Sequence, residues 1–137
     1  MVTLKFHETF NYLTFPNGRC SPIIQVRFEI QSISFQYPML VDSGADLTVL
    51  PMKITLKSPI SLLASTDIDM KGLGESKGRR LENVKITLGR KELSCPVVFT
   101  KSINSLNYGL LGRECVFPEL KIAFQENAKK IYISYQS

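Results

Sequence analysis

The first residues that could do chemistry are Asp42 to Asp46, with the sequence Asp-Ser-Gly-Ala-Asp. This short acidic turn separates two apolar runs, 37–41 and 47–51, which are typical of buried strands. A carboxylate at the end of a buried strand loses hydration, and such a residue usually persists where hydrogen bonds or function require it. Asp42 is therefore the first candidate for a catalytic group. The five residues alone are equally compatible with an ordinary hairpin turn, in which Asp, Ser and Gly are common.

Other catalytic chemistries find little support in the composition. The single histidine, His7, is the only base available to a Ser-His-Asp triad, and a zinc site cannot be built from several imidazoles. The three cysteines, Cys20, Cys95 and Cys115, are far apart and form no C-x-x-C pair. We therefore expect three reduced thiols, no metal site and no cofactor.

Size and charge predict one soluble domain. A chain of 137 residues can bury roughly two thirds of its unfolded surface in a single core. No apolar run approaches the roughly 20 residues that span a bilayer, and residues 1–25 contain no signal-like segment, so we expect a cytoplasmic protein without a membrane anchor.

The net charge is +5, with basic residues clustered between Lys77 and Lys91. Because no aromatic residues are interleaved with this cluster, we expect a solvated face and no nucleic-acid partner. A weaker alternative is that the charge steers an acidic polypeptide.

Short runs rich in Val, Ile, Phe and Tyr recur between turn signals, which predicts an all-β protein with a closed or sandwiched sheet. The predicted strands are 23–30, 35–41, 47–50, 67–71, 81–88, 93–100, 108–111, 120–124 and 130–135. Apolar and polar residues alternate most clearly in 25–30 and 84–88, so each of these strands should turn one face to the core. Helix is expected only after Pro51 and from Arg113 to Phe117, where Pro118 should end it.

Two further segments could serve the chemistry of Asp42. Residues 70–78 place three glycines between two strands, which predicts a flexible hairpin tip from which a lid could be built. Residues 108–114 run from an apolar strand through Gly112 into Arg113. Taken alone, the first segment is better explained as a mobile loop and the second as the start of a helix.

In this order, the three segments resemble the retropepsin-like aspartic proteases, the single-domain relatives of pepsin. The resemblance extends over roughly 23–133 and implies a closed β-barrel of the acid protease type with one short C-terminal helix. It divides the chain into an N-terminal lead-in, 1–22, that could be a dimer strand or a clamp, and a protease domain, 23–137. Within that domain it implies a flap at about 66–88 and a C-terminal hairpin at 119–135.

The resemblance also implies roles for particular residues. Asp42 corresponds to the catalytic aspartate of the family's D-[ST]-G-A loop, and the glycine-rich hairpin corresponds to its flap. The segment before Glu114 resembles the family's signature of two apolar residues, Gly and Arg. The implied site residues are Asp42 as the catalytic group; Ser43, Gly44, Ala45 and Asp46 in the active-site loop; Gly72, Leu73 and Gly74 in the flap; and Leu111, Gly112 and Arg113 as structural support.

The family's reaction needs two carboxylates around one water, and this chain supplies one such loop. Asp46, Asp67 and Asp69 are not followed by Ser/Thr-Gly, so no second loop can complete a dyad within one chain. The resemblance therefore implies a homodimer that acts as an aspartic endopeptidase on a polypeptide bound as an extended strand, without metal or cofactor. The alternative is a catalytically inactive module of the same fold that binds peptides or dimerises.

Two features depart from the pattern of the retroviral members. Glu75 follows Gly74 where retroviral flaps usually continue with glycine, and Glu114 stands where Asp or Asn commonly follows the arginine. The chain also continues beyond this signature through 119–137. Its layout is therefore more similar to the small bacterial and cellular members.

Overall fold

The structure is a computed structural model that describes residues 5–70 and 76–135. Its strands are β1 (Glu8–Asn11), β2 (Leu13–Thr14), β3 (Cys20–Ser21), β4 (Ile23–Ile30), β5 (Ile33–Val41), β6 (Val49–Pro51), β7 (Thr66–Met70), β8 (Ser76–Leu88), β9 (Lys91–Thr100), β10 (Gly109–Leu111), β11 (Leu120–Gln125) and β12 (Lys130–Tyr135). One α-helical turn, α1, spans Ile54–Lys57, and three short 3-10 helices span Lys101–Ile103, Phe117–Glu119 and Glu126–Ala128.

Six strands form a closed mixed barrel in the order β4-β5-β10-β6-β9-β8. The barrel closes where β8 pairs with β4, with Ile86 opposite Phe28. The β5–β10 and β6–β9 pairs are parallel, and the other pairs in the barrel are antiparallel. The predicted fold class, an all-β closed barrel with few helices, is confirmed.

The alternating pattern predicted for 25–30 is observed in β4. Val26, Phe28 and Ile30 are at most 2 % exposed, whereas Arg27 and Glu29 lie on the outside. Burial of an apolar side chain of this size contributes roughly 1.5–3 kcal/mol, so this face fixes the register of the strand. Seven of the side chains with the deepest burial are Phe28, Phe99, Met39, Leu50, Ile86, Leu88 and Leu111.

A second, three-stranded sheet lies against the barrel and joins the two ends of the chain. Its strand order is β1-β12-β11, and all its pairs are antiparallel. Ile131 and Ile133 of β12 are fully buried in the main core. Residues 8–11 of the N-terminal segment are thus paired within their own chain, and a role for this segment in a dimer stays a prediction.

The helices differ from their predicted bounds at one place. The helix expected after Pro51 is α1, whereas the short C-terminal helix is a single 3-10 turn that begins at Phe117, four residues later than predicted. Cys115 has a φ of +71°, which interrupts a right-handed helix. Pro118 lies inside the 3-10 turn instead of ending an α-helix. Among the described helices, none has the length and apolar character needed to cross a membrane.

Candidate active site

Asp42 lies at the point where β5 leaves the barrel. Val41, the last residue of β5, pairs with Leu111 of β10, and the Asp42 N–H donates to the Leu111 carbonyl at 3.1 Å. The Asp42 side chain is half-buried in the single chain. The end of a buried parallel strand pair thus holds the backbone of this residue in place.

The residues after Asp42 form a tight turn around its carboxylate. Gly44 N–H donates to Asp42 Oδ1 at 2.9 Å, and Ala45 N–H donates to the Asp42 carbonyl at 3.2 Å. Ser43 and Gly44 are exposed. Asp42 Oδ2 accepts no hydrogen bond from residues 5–70 or 76–135, so one carboxylate oxygen remains available to a proton, a water or a second carboxylate.

Arg113 and Glu114 hold the other half of this loop. Arg113 N–H donates to the Ala45 carbonyl at 2.9 Å, and Glu114 N–H donates to the Asp46 carbonyl at 2.8 Å. The Arg113 guanidinium also forms an ion pair with the Asp46 carboxylate. Because the two side chains are 56 % and 81 % exposed, this pair adds little stability and chiefly orients Asp46.

The segment around Gly112 supports the loop from beneath. Leu111 is fully buried in the main core. Gly112 N–H donates at 3.1 Å to the hydroxyl of Thr48, which is 1 % exposed. A Cβ at Gly112 would overlap the backbone of Leu47, so only glycine allows this close approach. Thr48 is not among the predicted site residues, although a lone polar residue inside the run Leu47 to Leu50 is a signal for it.

The predicted flap corresponds to a β-hairpin made by β7 and β8. The two strands pair antiparallel from Thr66 opposite Arg80 to Met70 opposite Ser76. Arg79 fastens the base of this hairpin, because its guanidinium donates to Ser65 Oγ at 2.9 Å and to Asp67 Oδ1 at 2.5 Å. The predicted tip residues, Gly72, Leu73 and Gly74, lie outside the described residues.

A family model described as "Retroviral aspartyl protease" matches residues 19–122, well over half of the chain. The chain belongs to the retroviral aspartyl protease family. Its structure is similar to the crystal structure of a retropepsin-like aspartic protease from Rickettsia conorii, with a TM-score of 0.61, 15 % identity and 100 % of both chains covered. At this identity the similarity shows the fold alone. A comparison with curated proteins gave no match.

An apolar cluster lies beside the Asp-Ser-Gly-Ala loop of this family member. The buried side chains of this second cluster are Val49, Met70, Val98, Ile103 and Leu110. Partly buried Ala45 from the loop and Leu47 directly after it pack against this cluster. Met70 brings the hairpin into the same cluster. The wall next to Asp42 is therefore apolar and is shared by the loop, the barrel and the hairpin.

The expectation of three reduced thiols is wrong for two of the cysteines of this family member. Cys95 and Cys115 form a disulfide with a Cα–Cα distance of 5.7 Å, whereas Cys20 is free. The two cysteines are separated by 20 positions, so no short sequence motif predicts that they form a pair. They meet because β9 and the turn after Arg113 lie side by side in the barrel.

Reduction of this disulfide should lower the free energy of unfolding by about 3 kcal/mol. The bond joins residues separated by 20 positions, and it therefore restricts the conformations of the unfolded chain. Chemical denaturation with and without a reductant measures the effect. The Cys95→Ser variant should have the stability of the reduced protein and should not respond to the reductant. Cys20→Ser is the matched control and should respond as the wild type does. Equal stability of the oxidised and reduced wild type would contradict this role.

Within residues 5–70 and 76–135, no group of three or more His, Cys, Asp or Glu side chains could hold a metal ion. The ionisable groups around the site instead form ion pairs and one bridge of three side chains. Arg80 bridges Glu82 and Glu114 at 2.6 and 2.7 Å, and its pKa is raised chiefly by the hydrogen bond to Glu82 and also by the one to Glu114. The Arg80 bridge connects the turn after Arg113 to β8, the strand of the hairpin that pairs with β9.

Proposed function

We propose that this protein is an aspartic endopeptidase that works as a homodimer, with the Asp42 carboxylates of two identical subunits activating one water. The observation that carries the proposal is the Asp-Ser-Gly-Ala loop, held at the end of β5 by Leu111 and Arg113 with one Asp42 oxygen unpaired among the described residues. The match to the retroviral aspartyl protease family over 19–122 supports the same reaction class.

Two subunits are needed because one chain supplies one such carboxylate. Asp46 is paired with Arg113, and Asp67 is paired with Arg79 on the hairpin. Two-fold symmetry brings Asp42 opposite its own copy, and an isologous interface then contains the active site. Repulsion between the two adjacent carboxylates keeps one proton between them, so that one is a base and the other an acid.

The reaction follows from this shared proton. The ionised Asp42 takes a proton from the water while the oxygen of that water attacks the carbonyl carbon of the peptide. The protonated Asp42 donates to the carbonyl oxygen, and proton transfer to the amide nitrogen then allows the C–N bond to break. No covalent enzyme intermediate, metal or cofactor takes part.

The remaining loop residues position the two carboxylates and the substrate. Ser43 hydrogen-bonds across the axis to the partner loop. Gly44 offers its carbonyl to the substrate main chain, and Asp46, oriented by Arg113, binds the next part of it. The peptide lies as an extended strand under the hairpin of β7 and β8, which excludes water during the reaction. Its apolar side chains contact the partly buried edge of the second cluster, where Ala45, Leu47 and Ile68 lie.

Incubation with a mixed peptide library at mildly acid and neutral pH tests this function. We expect cleavage that a statine-type transition-state inhibitor blocks, and light scattering should give the mass of two chains under the same conditions. Binding of library peptides without any cleavage would instead assign the protein to the alternative class, a peptide-binding module. A species with the mass of one chain that still cleaves would contradict the dimer.

A further inference from the structure

A cavity of about 370 Å³ lies beside the hairpin, outside the catalytic loop. One side is formed by the first residues of β8, Ser76 to Arg79. The other side is formed by Met52, which follows β6, and by Lys101 and Ser102 at the start of a 3-10 helix. The cavity lies where β9 ends at Thr100 and β8 extends past this end to Ser76.

This cavity adjoins the apolar wall next to Asp42. Gly78, one of its lining residues, packs so closely on Val98 and Met70 that an added Cβ would lie 2.5 Å from Val98 Cγ1 and 3.1 Å from Met70 Sδ. Val98 and Met70 belong to the cluster that also receives Ala45 of the loop and Leu47 directly after it. Ile68, which is partly buried on the same cluster, lies opposite Gly78 in the β7–β8 register. A peptide lying along this partly buried edge therefore passes within reach of the cavity.

The charge around the cavity is predominantly positive. Of its three basic residues, Arg79 is paired with Asp67 at 2.5 Å. Lys77 and Lys101 are exposed and form no ion pair with the described residues, although Asp69 lies opposite Lys77 in the β7–β8 register. Two ammonium groups thus remain to attract an anion.

Hydroxyl groups on the same walls complete the set of possible donors. Ser76 is 9 % exposed, and its Oγ is shielded from solvent without a hydrogen-bond partner in the described part of the chain. Ser102 Oγ lies 3.2 Å from the hydroxyl of Thr100, which itself donates to the Lys77 carbonyl. A buried hydroxyl without a partner is unfavourable, so a ligand that offers an acceptor near Ser76 recovers the lost interaction.

We propose that this cavity is a substrate subsite that binds the carboxylate of an Asp or Glu side chain flanking the cleaved bond, through Lys77 and Lys101. This inference rests on the proposed function, because it assigns the ligand to the peptide substrate. An extended peptide directs alternate side chains to the same side. One acidic residue can therefore reach the cavity while its neighbours contact the apolar wall.

The test compares pairs of apolar peptides that differ only by Glu or Gln at one position, with that position moved along the peptide. The wild type should cleave the Glu peptide with a kcat/KM roughly fivefold above that of its Gln partner at one position. The Lys77→Gln/Lys101→Gln variant should bring this ratio close to one. Lys91→Gln/Lys121→Gln, which removes the same charge elsewhere, should keep the ratio of the wild type.

A wild type with no position that favours Glu would overturn the subsite, and so would a preference that survives in Lys77→Gln/Lys101→Gln. Loss of the preference in the control variant as well would show general attraction by the net charge instead. Calorimetric binding of the same peptides to the Asp42→Asn protein separates this inference from the proposed function. Tighter binding of the Glu peptide supports the subsite even if the wild type cleaves nothing, and equal binding of both peptides refutes it.

Discussion

Peptide hydrolysis should fall by about 10⁴-fold in kcat/KM when Asp42 is replaced by Asn, because both the general base and the general acid of the dyad are lost. The amide introduced by this substitution can neither accept the proton of the attacking water nor supply one to the carbonyl oxygen. The fold should persist, since an amide oxygen can still accept the hydrogen bond that Gly44 N–H donates to Asp42 Oδ1. Steady-state cleavage of one library-derived peptide measures the loss.

Glu92→Gln is the matched control for this variant. It makes the same acid-to-amide change at an exposed carboxylate of β9, outside the loop and the hairpin. We expect its kcat/KM to stay within about a factor of two of the wild type, since a surface substitution of this kind changes energies by at most about 0.5 kcal/mol. Equal cleavage by wild type and Asp42→Asn would exclude the aspartic mechanism.

The second large effect is expected for Gly112→Ala, which should lower the free energy of unfolding by at least about 3 kcal/mol. The new methyl group would meet the carbonyl carbon, carbonyl oxygen and nitrogen of Leu47. These are backbone atoms, so the clash cannot be relieved by a change of rotamer. The hydrogen bond from Gly112 N–H to the buried Thr48 hydroxyl should also be lost.

Gly18→Ala is the control for this substitution. Gly18 has a φ of +84°, but a Cβ there would meet no atom within 4 Å. Its cost should therefore be limited to the strain of the left-handed backbone, about 1 kcal/mol. Urea denaturation of both variants gives the comparison. A Gly112→Ala protein as stable as Gly18→Ala would show that the backbone of the loop can move away from Gly112.

The sequence predicts the barrel strands well where local periodicity and burial agree. The prediction for β4 matches its observed bounds, 23–30, because apolar and polar residues alternate from Ile24 to Ile30, along most of the strand. The pattern predicts β8 only from Leu81, whereas the strand begins at Ser76. The missed residues include Lys77, Arg79 and Arg80, whose charges remain on the surface of the hairpin. Composition alone cannot distinguish such an exposed strand from a loop.

The parts of the site that depend on distant contacts are less accessible from the sequence. A motif points to Asp42 and to Arg113 as structural support. In this chain Arg113 pairs with Asp46. By contrast, the Cys95–Cys115 bond and the Thr48 hydroxyl joined to Gly112 depend on how β6, β9 and β10 meet in space. No local sequence pattern predicts these tertiary contacts.

The proposed activity depends on two copies of Asp42 forming one active site, and mixed dimers test this most directly. Wild-type protein is mixed with a roughly ninefold excess of Asp42→Asn, and the subunits are allowed to exchange before cleavage is measured. If both carboxylates are required, activity per wild-type chain should fall about tenfold, because random exchange leaves roughly one wild-type chain in ten with a wild-type partner. Activity per wild-type chain that does not change with the excess of Asp42→Asn, after exchange has been verified, would show that each chain carries a complete site and would contradict the account.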